Sequence, residues 1–355
     1  MKECLLDYIV CPRCGTGFKL DDAEGKGEIE SATLECAGGH RFAVEGGIPR
    51  LVVKGSLQEV QKSVQKSFSE KWEIIPDWGH EDKTRNFQLQ WYLERYGWGS
   101  TENLVKFLSK KRSILDAGTG LGRDARLYAE NTEGQVFGID LSSGIETAYS
   151  HLAHLPNLHL IQADLTVLPF REGFFDFIAC DQVIHHTPDT EKSFKYLARF
   201  LEQGGDIAVY VYKIKGPVRE FCDDYIRGYT TKLSAEECYK VSEAITKLGK
   251  SLSEMKVEIC VPEDIPILEM KAGKYDLQRF IYWNVLKCFW NPDFDYHANL
   301  MVNFDWYHPE DAHRHTPEEV RKWFDDVGLE ITNFDVSLSG TSVRAKKPAS
   351  STVRG

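Results

Sequence analysis

From Ser113 to Tyr212 short apolar runs alternate with helical stretches, and the first run ends in Asp116-Ala-Gly118-Thr-Gly120-Leu-Gly122. This pairing constrains the fold more than any other feature of the chain. Runs at 114–117, 135–140, 158–163, 175–181 and 206–212, separated by helical segments, predict a parallel sheet with crossover helices. Glycines at alternate positions let the backbone turn sharply and approach a ligand where any Cβ would collide. A nicotinamide-binding loop would read G-x-G-x-x-G and hold a pyrophosphate at a helix N-terminus. This loop reads G-x-G-x-G, with an aspartate two positions ahead of the first glycine.

The remaining segments follow from composition. Residues 1–55 are rich in Cys and Gly, 56–112 are helical and aromatic, 213–315 interrupt the alternation, and 316–347 resume it. In 191–203, Phe194, Leu197, Ala198 and Leu201 share one helical face that Gly204-Gly205 should stop. Thr316-Pro-Glu-Glu319 is a capping-box start for a helix running to about Gly328. Strands at 329–337 and 341–346 then close the sheet as a hairpin, and the polar tail 348–355 should be mobile.

At 355 residues the chain suits one main domain plus an appendage. A net charge of −11 gives no general attraction to polyanions and disfavours nucleic acid as a partner. No run approaches the ~20 apolar residues of a membrane span, and residues 1–10 lack a signal-peptide profile, so the expected location is cytoplasmic. Nothing in the sequence speaks to oligomeric state.

Residues 113–122 resemble the cofactor loop of class I S-adenosylmethionine-dependent methyltransferases, and the likeness extends over about 90–212 and 316–347. It implies an α/β fold: a Rossmann-like seven-stranded sheet whose last two strands form a hairpin. It also implies roles. Gly118, Gly120 and Gly122 would form the turn under the methionine part of the cofactor, with Asp116 supporting the loop. Asp140 would accept from the ribose hydroxyls, with Leu141 beside the adenine. Asp164 would face the adenine amino group, with Leu165 packing on the ring. The loop from Asp181 to His186 would lie beneath the transferring methyl. The cofactor differs from a dinucleotide in having no phosphate and carrying a sulfonium and an ammonium.

Four of nine cysteines crowd into the first 36 residues, while Cys180, Cys222, Cys238, Cys260 and Cys288 are scattered and read as ordinary thiols. Cys11-Pro-Arg-Cys14 and Cys36-Ala-Gly-Gly-His40 are two chelating pairs around a two-stranded spacer, the ligand set of a structural zinc ribbon. Such a ribbon is too small to rely on its own core, so the metal should stabilise it. It resembles both the zinc-ribbon activators of translation-related methyltransferases and the amino-terminal ribbon of bacterial ribosomal-RNA guanine methyltransferases. Both point toward RNA, yet the segment has no basic run.

On the acceptor side, His185 and His186 follow the fourth strand, where open α/β sheets bind ligands, and one of them is a candidate base. The insertion at 213–315 is expected to be mainly helical and to form an aromatic substrate lid. Its first part starts at the capping box Ser234-Ala-Glu-Glu237, and its second offers Arg279, Trp283, Asp305 and Tyr307 as lid residues. Upstream, 56–112 is read as a linker and cofactor cover, with Tyr92, Arg95 and Tyr96 as lid or carboxylate-binding candidates. Tyr210 and Tyr212, closing the fifth strand, are expected to face pocket or core on alternate sides. Three readings stay open: methylation of a small or medium organic metabolite, methylation of RNA or protein with the ribbon as docking module, and a cofactor-binding scaffold without transfer.

Overall fold

The structure, a computed structural model, describes residues 1–349 apart from 54, 56, 77 and 79–81, and only the backbone of 82–84. From 350 on, the predicted tail lies outside the described residues. The chain divides into two compact units, Met1–Tyr212 with His315–Gly355, and Lys213–Arg314.

The first unit opens on a 3-10 turn at Glu3–Asp7 and a small antiparallel sheet of β1 (Phe18–Glu24), β2 (Ser31–Cys36), β3 (Arg41–Glu45) and β4 (Ile48–Pro49), ordered as in the chain. Three helices follow: α1 (Glu59–Ile74), α2 (Asp82–Arg95) and α3 (Thr101–Leu108). The alternating segment then gives β5 (Ser113–Ala117), α4 (Arg123–Glu130), β6 (Gln135–Asp140), α5 (Gly144–Leu152), β7 (Leu158–Gln162), β8 (Phe175–Cys180), α6 (Thr190–Ala198) and β9 (Leu201–Tyr212).

In the second unit α7 (Pro217–Thr230) and α8 (Ala235–Glu254) precede a hairpin of β10 (Glu258–Val261) and β11 (Gly273–Asp276), then α9 (Leu277–Asn284) and α10 (Tyr296–Tyr307). Ser234 caps α8 through the expected box with Glu237, but the hairpin had no clear signal in a segment that reads as helical. Asn303 and Asn299 hold the loop before α10 by bonding the Phe289 and Asn291 backbones, so much of the aromatic stretch is this unit's own core.

The chain re-enters the first unit with α11 (Pro317–Asp326), β12 (Glu330–Val336) and β13 (Gly340–Lys346). The central sheet runs β12-β13-β9-β8-β5-β6-β7. Strands β9 to β7 are mutually parallel, and β13 lies antiparallel between β9 and β12, so the terminal pair is the expected hairpin. The helix expected over 191–203 is shorter than predicted. It ends at Ala198, and Leu201 to Gly205 join β9 because Leu201 pairs with Phe175 and an irregularity in the ladder accommodates the two glycines. The turn residues taken for a helix stop therefore lie inside a strand.

The amino-terminal sheet packs onto the free edge of β7. Leu51 N–H donates to the Gln162 carbonyl at 2.8 Å, Val10 N–H to Pro169 at 2.9 Å, and the Lys2 ammonium to the Leu155 and Leu158 carbonyls at 2.9 and 2.8 Å. Leu5, Leu34, Val44 and Leu51 share one buried cluster with Phe137, Ile139 and Ile161 of the central sheet. Burying that edge removes an open row of backbone groups that would otherwise invite pairing with another chain.

Candidate functional site

The glycine loop turns where β5 ends. Gly118, Gly120 and Gly122 have φ of 86°, 54° and 83°, the left-handed region that L side chains rarely adopt. A Cβ on Gly118 would lie 2.3 Å from Val183, so the loop is pressed against the turn after β8. Gly120 N–H donates to Asp140 Oδ2 at 2.8 Å, and Ser142 N–H and Oγ to Asp140 Oδ1 at 2.8 and 2.6 Å. Burial pushes the Asp140 carboxyl above its usual range, opposed by these bonds and by the nearby Lys71 charge. Asp116 is buried and accepts from Thr119 Oγ1 at 2.6 Å. Desolvation, then the neighbouring Asp124, pushes its carboxyl well up.

Asp164 and Leu141 complete the row. Asp164 Oδ1 accepts from Thr166 N–H at 2.8 Å, and Oδ2 from Gln61 Nε2 at 3.0 Å. The Leu141 carbonyl accepts from Gln65 Nε2 at 2.8 Å. Leu165 packs on the hydrophobic core. Asp116 thus closes β5, Asp140 closes β6, and Asp164 and Leu165 lie two to three residues beyond β7.

The residues named from the sequence as cover candidates lie at the end of α2, but a second helix of the same 56–112 segment meets the loop. The element over the loop is α1, with Gln61, Gln65, Phe68 and Trp72 spaced four, three and four residues apart on one face. Trp72 lies against Gly120 and Gly144, Phe68 packs edge-on to His186 with centroids 4.9 Å apart, and Ser69 Oγ accepts from Ser143 N–H at 3.0 Å. Two amides among the aromatics blur the apolar stripe, but the repeat itself was there to be seen.

Helix α2 supplies a buried support instead. Arg95 donates to Asp181 Oδ2, Tyr96 OH donates to Asp181 Oδ1 at 2.8 Å, and the Arg95 guanidinium stacks 3.7 Å from the Trp91 ring centroid. Burial, then the Asp181 charge, raises the Tyr96 pKa well above its ordinary value. Tyr92 is buried with its hydroxyl 3.0 Å from that of Tyr128. Tyr92 and Tyr96 are thus interior groups whose hydroxyls face Tyr128 and Asp181, while buried Arg95 uses Nη2 for Asp181 and has no hydrogen-bond partner for Nε and Nη1. Asp181 has both oxygens bonded within the protein, by Arg95, Tyr96 and Gln182. Gln182 itself has φ of 61°, an uncommon conformation for a residue other than glycine, at the turn packed on the loop.

His185 and His186 form a 3-10 turn after β8, both buried. The His185 ring lies 3.8 Å from that of Tyr212 and 6.2 Å from that of Tyr210, centroid to centroid. Tyr210 and Tyr212 are two apart on β9, so they share one face rather than alternating, as strand geometry requires. In the second unit, Tyr307 is fully buried and donates to the Lys287 carbonyl at 2.8 Å, which makes it core and not lid. Trp283 packs edge-on to Tyr282, the Arg279 guanidinium lies 5.9 Å from the Tyr282 and Phe289 ring centroids, and Asp305 is a half-buried residue of α10.

At the amino terminus Cys11, Cys14, Cys36 and His40 bring their ligand atoms within 4.8 Å of one another. Sγ of Cys14 and Cys36 are 3.5 Å apart, and His40 Nδ1 lies 3.5 and 3.4 Å from Cys11 and Cys36 Sγ. A tetrahedral ion bound at about 2.3 Å by sulfur spaces its ligands roughly 3.8 Å apart, so this set fits zinc. None of the four thiols or rings belongs to a disulfide, leaving every donor available.

Residues 115–209 match the family described as a methyltransferase domain. Phosphoethanolamine N-methyltransferase 2 of Caenorhabditis elegans is 32% identical over 104 residues, which is 28% of this chain and 24% of that protein. The sterol 24-C-methyltransferase of Aspergillus fumigatus is 23% identical over 230 residues, 54% of this chain and 58% of its own. Phosphoethanolamine N-methyltransferase 3 of Arabidopsis thaliana is 32% identical over 192 residues, 52% and 37% respectively. This chain thus spans between a quarter and three fifths of these relatives' lengths. No helix among the described residues is long and apolar enough to cross a membrane. The glycine loop, the sheet order and the family match together identify the core of this chain as a class I S-adenosylmethionine-dependent methyltransferase domain.

Proposed function

We propose that the whole protein transfers a methyl group from S-adenosylmethionine to a small or medium organic metabolite. The observation that carries this reading is the row of carboxylates Asp116, Asp140 and Asp164 at the ends of three neighbouring strands around a left-handed glycine loop. Loop residues 116–122 include acid but no Lys or Arg, which suits a cationic cofactor and not a pyrophosphate. The bound cofactor supplies a methyl already activated by the sulfonium charge.

The chain's own part is positioning and exclusion of water. Asp140 would hold the ribose hydroxyls, Asp164 the adenine amino group, and the Gly118–Gly122 backbone the methionine part, with Trp72 and Phe68 of α1 as cover. Aligning two reactants in this way is worth about 7–11 kcal/mol of barrier. His185 or His186 would take a proton where the acceptor is a hydroxyl or an acidic carbon. Zinc at Cys11, Cys14, Cys36 and His40 would be structural, because four protein ligands leave no open position.

Support for a small acceptor comes from the relatives, named for phosphoethanolamine and sterol methylation. Two of the ribbon's cations point the same way. Lys2 and Arg50 bond Leu155, Leu158, Gln162 and Glu146 within the first unit, which leaves them unsuited to gripping RNA. The inserted unit leaves β9 at Tyr212 and rejoins at His315, whose N–H donates to the Tyr212 carbonyl at 2.9 Å, so both crossings lie at the carboxyl edge of the sheet. That attachment supports reading the insertion as the lid. The test is transfer of labelled methyl into fractionated cell extract. Label in the small-molecule or lipid fraction is expected; label confined to RNA or protein would replace this reading, and no transfer at all would leave a scaffold.

A further inference from the structure

Strand β7 is the last of the central sheet, and the amino-terminal ribbon grips both ends of its outer edge. Lys2 holds the Leu155 and Leu158 carbonyls where β7 begins. Where β7 ends, Arg50 and Gln162 form a parallel bridge, and Leu51 N–H donates to the Gln162 carbonyl at 2.8 Å. This second grip lies two residues ahead of Asp164, at the turn that carries the carboxylate expected to face adenine.

The side chain of Arg50 carries the connection inward. Its Nη1 donates to Gln162 Oε1 at 3.2 Å and its Nη2 to Glu146 Oε1 of α5 at 3.0 Å. With Oε1 taken by Arg50, the Gln162 amide turns Nε2 to the Leu141 carbonyl, 3.2 Å away. An amide has its acceptor and its donors on opposite atoms, so the group that claims the oxygen decides where the nitrogen points. On the ribbon side, Arg50 N–H donates to the Ala43 carbonyl at 2.8 Å, in the strand β3 that follows directly on His40. Bonds therefore run from the metal-ligand loop through Ala43, Arg50 and Gln162 to Leu141, the residue expected beside adenine.

From this arrangement we infer that Arg50 is a positioning residue for the adenine end of the cofactor site, and that through it cofactor affinity depends on the ribbon being folded around its metal. The inference rests on the placement of adenine by Leu141 and Asp164 proposed above. The element with two states is the ribbon, which is too small to hold its fold by packing alone and is ordered by zinc. Once it loosens, the Arg50 and Leu51 bonds are lost, the end of β7 becomes a bare edge, and Gln162 is free to turn from Leu141. A cofactor that prefers the docked ribbon must in turn tighten the metal by the same factor, because coupling between two binding sites is reciprocal.

The experiment is calorimetry of the full chain with S-adenosylhomocysteine, on wild type, Arg50→Met, Gln162→Met and the double variant, each with zinc bound. Both single variants should keep one zinc per chain by metal analysis and raise Kd about three- to fivefold, the worth of roughly one net hydrogen bond. The double variant should bind no more weakly than the weaker single, since both break one connection. Zinc affinity, read by equilibrium competition with a chelator, should rise about fivefold in wild type when S-adenosylhomocysteine is saturating, and by a smaller factor in Arg50→Met. Thermal unfolding checks that each variant is folded at the temperature of the titration. An unchanged Kd in Arg50→Met, losses that add in the double variant, a zinc affinity indifferent to the ligand, or a purified chain without zinc each overturns the inference and leaves the methyltransferase reading standing. Absence of S-adenosylhomocysteine binding to the wild type removes that reading, and this inference with it.

Discussion

Gln61 Nε2 donates to Asp164 Oδ2 at 3.0 Å, tying helix α1 to the turn that follows β7. Four residues along, Gln65 bonds Leu141, and Trp72 covers Gly120. One helix face thus reads three successive strand ends, and its removal should be felt as lost cofactor affinity. Trp72→Ala should weaken S-adenosylmethionine binding about tenfold, the equivalent of roughly 1.4 kcal/mol of aromatic contact. Calorimetry checks this, and an unchanged Kd would show that α1 is not the cover.

Zinc should count one per chain by metal analysis. Cys36→Ser should lose it and lower the melting temperature by roughly 5–10 °C, because the ribbon shares a core with the β7 edge. Full stability in a zinc-free variant would mean that apolar packing alone holds the ribbon.

His159 gives a pH signature. Its ring stacks on Phe137 and bonds Gln135, and burial, then Lys2, lowers its pKa to about 4. The unfolded chain binds the extra proton between pH 6.5 and about 4, so stability is complete above the higher value and falls as pH drops through that window. The loss should reach about 3 kcal/mol. Chemical denaturation of wild type and His159→Gln at pH 7 and 4.5 measures it; equal pH slopes would contradict the assignment.

Arg95→Ala should destabilise the chain by about 3 kcal/mol, because it removes the nearer of the two cations on buried Asp181 and leaves only Arg123 at 3.5 Å. Adding Asp181→Asn to that variant should recover part of the loss, which a double-mutant cycle in urea resolves. Additive losses would mean the pair is not coupled.

The sheet was legible because each strand is a short apolar run stopped by polar residues or glycine, and because the loop glycines sit where φ must be positive. Asp140 and Asp164 were legible for the same reason, as acids at strand ends. Other features were not. The roles of Arg95, Tyr96 and Asp181 turn on pairings 86 and 85 residues apart, which no local pattern encodes. The face of α1 mixes two glutamines with two aromatics, so it does not read as an apolar stripe. Leu201 looked helical by spacing, but its pairing with Phe175 outweighs local preference.

The most direct measurement is calorimetric titration of the purified chain with S-adenosylmethionine and S-adenosylhomocysteine, beside Asp140→Ala. Both ligands should bind at one per chain, and loss of the Asp140 carboxylate should raise Kd about 10- to 100-fold, the range for hydrogen bonds to a charged group. Absence of binding of either ligand to the wild-type chain would contradict the account.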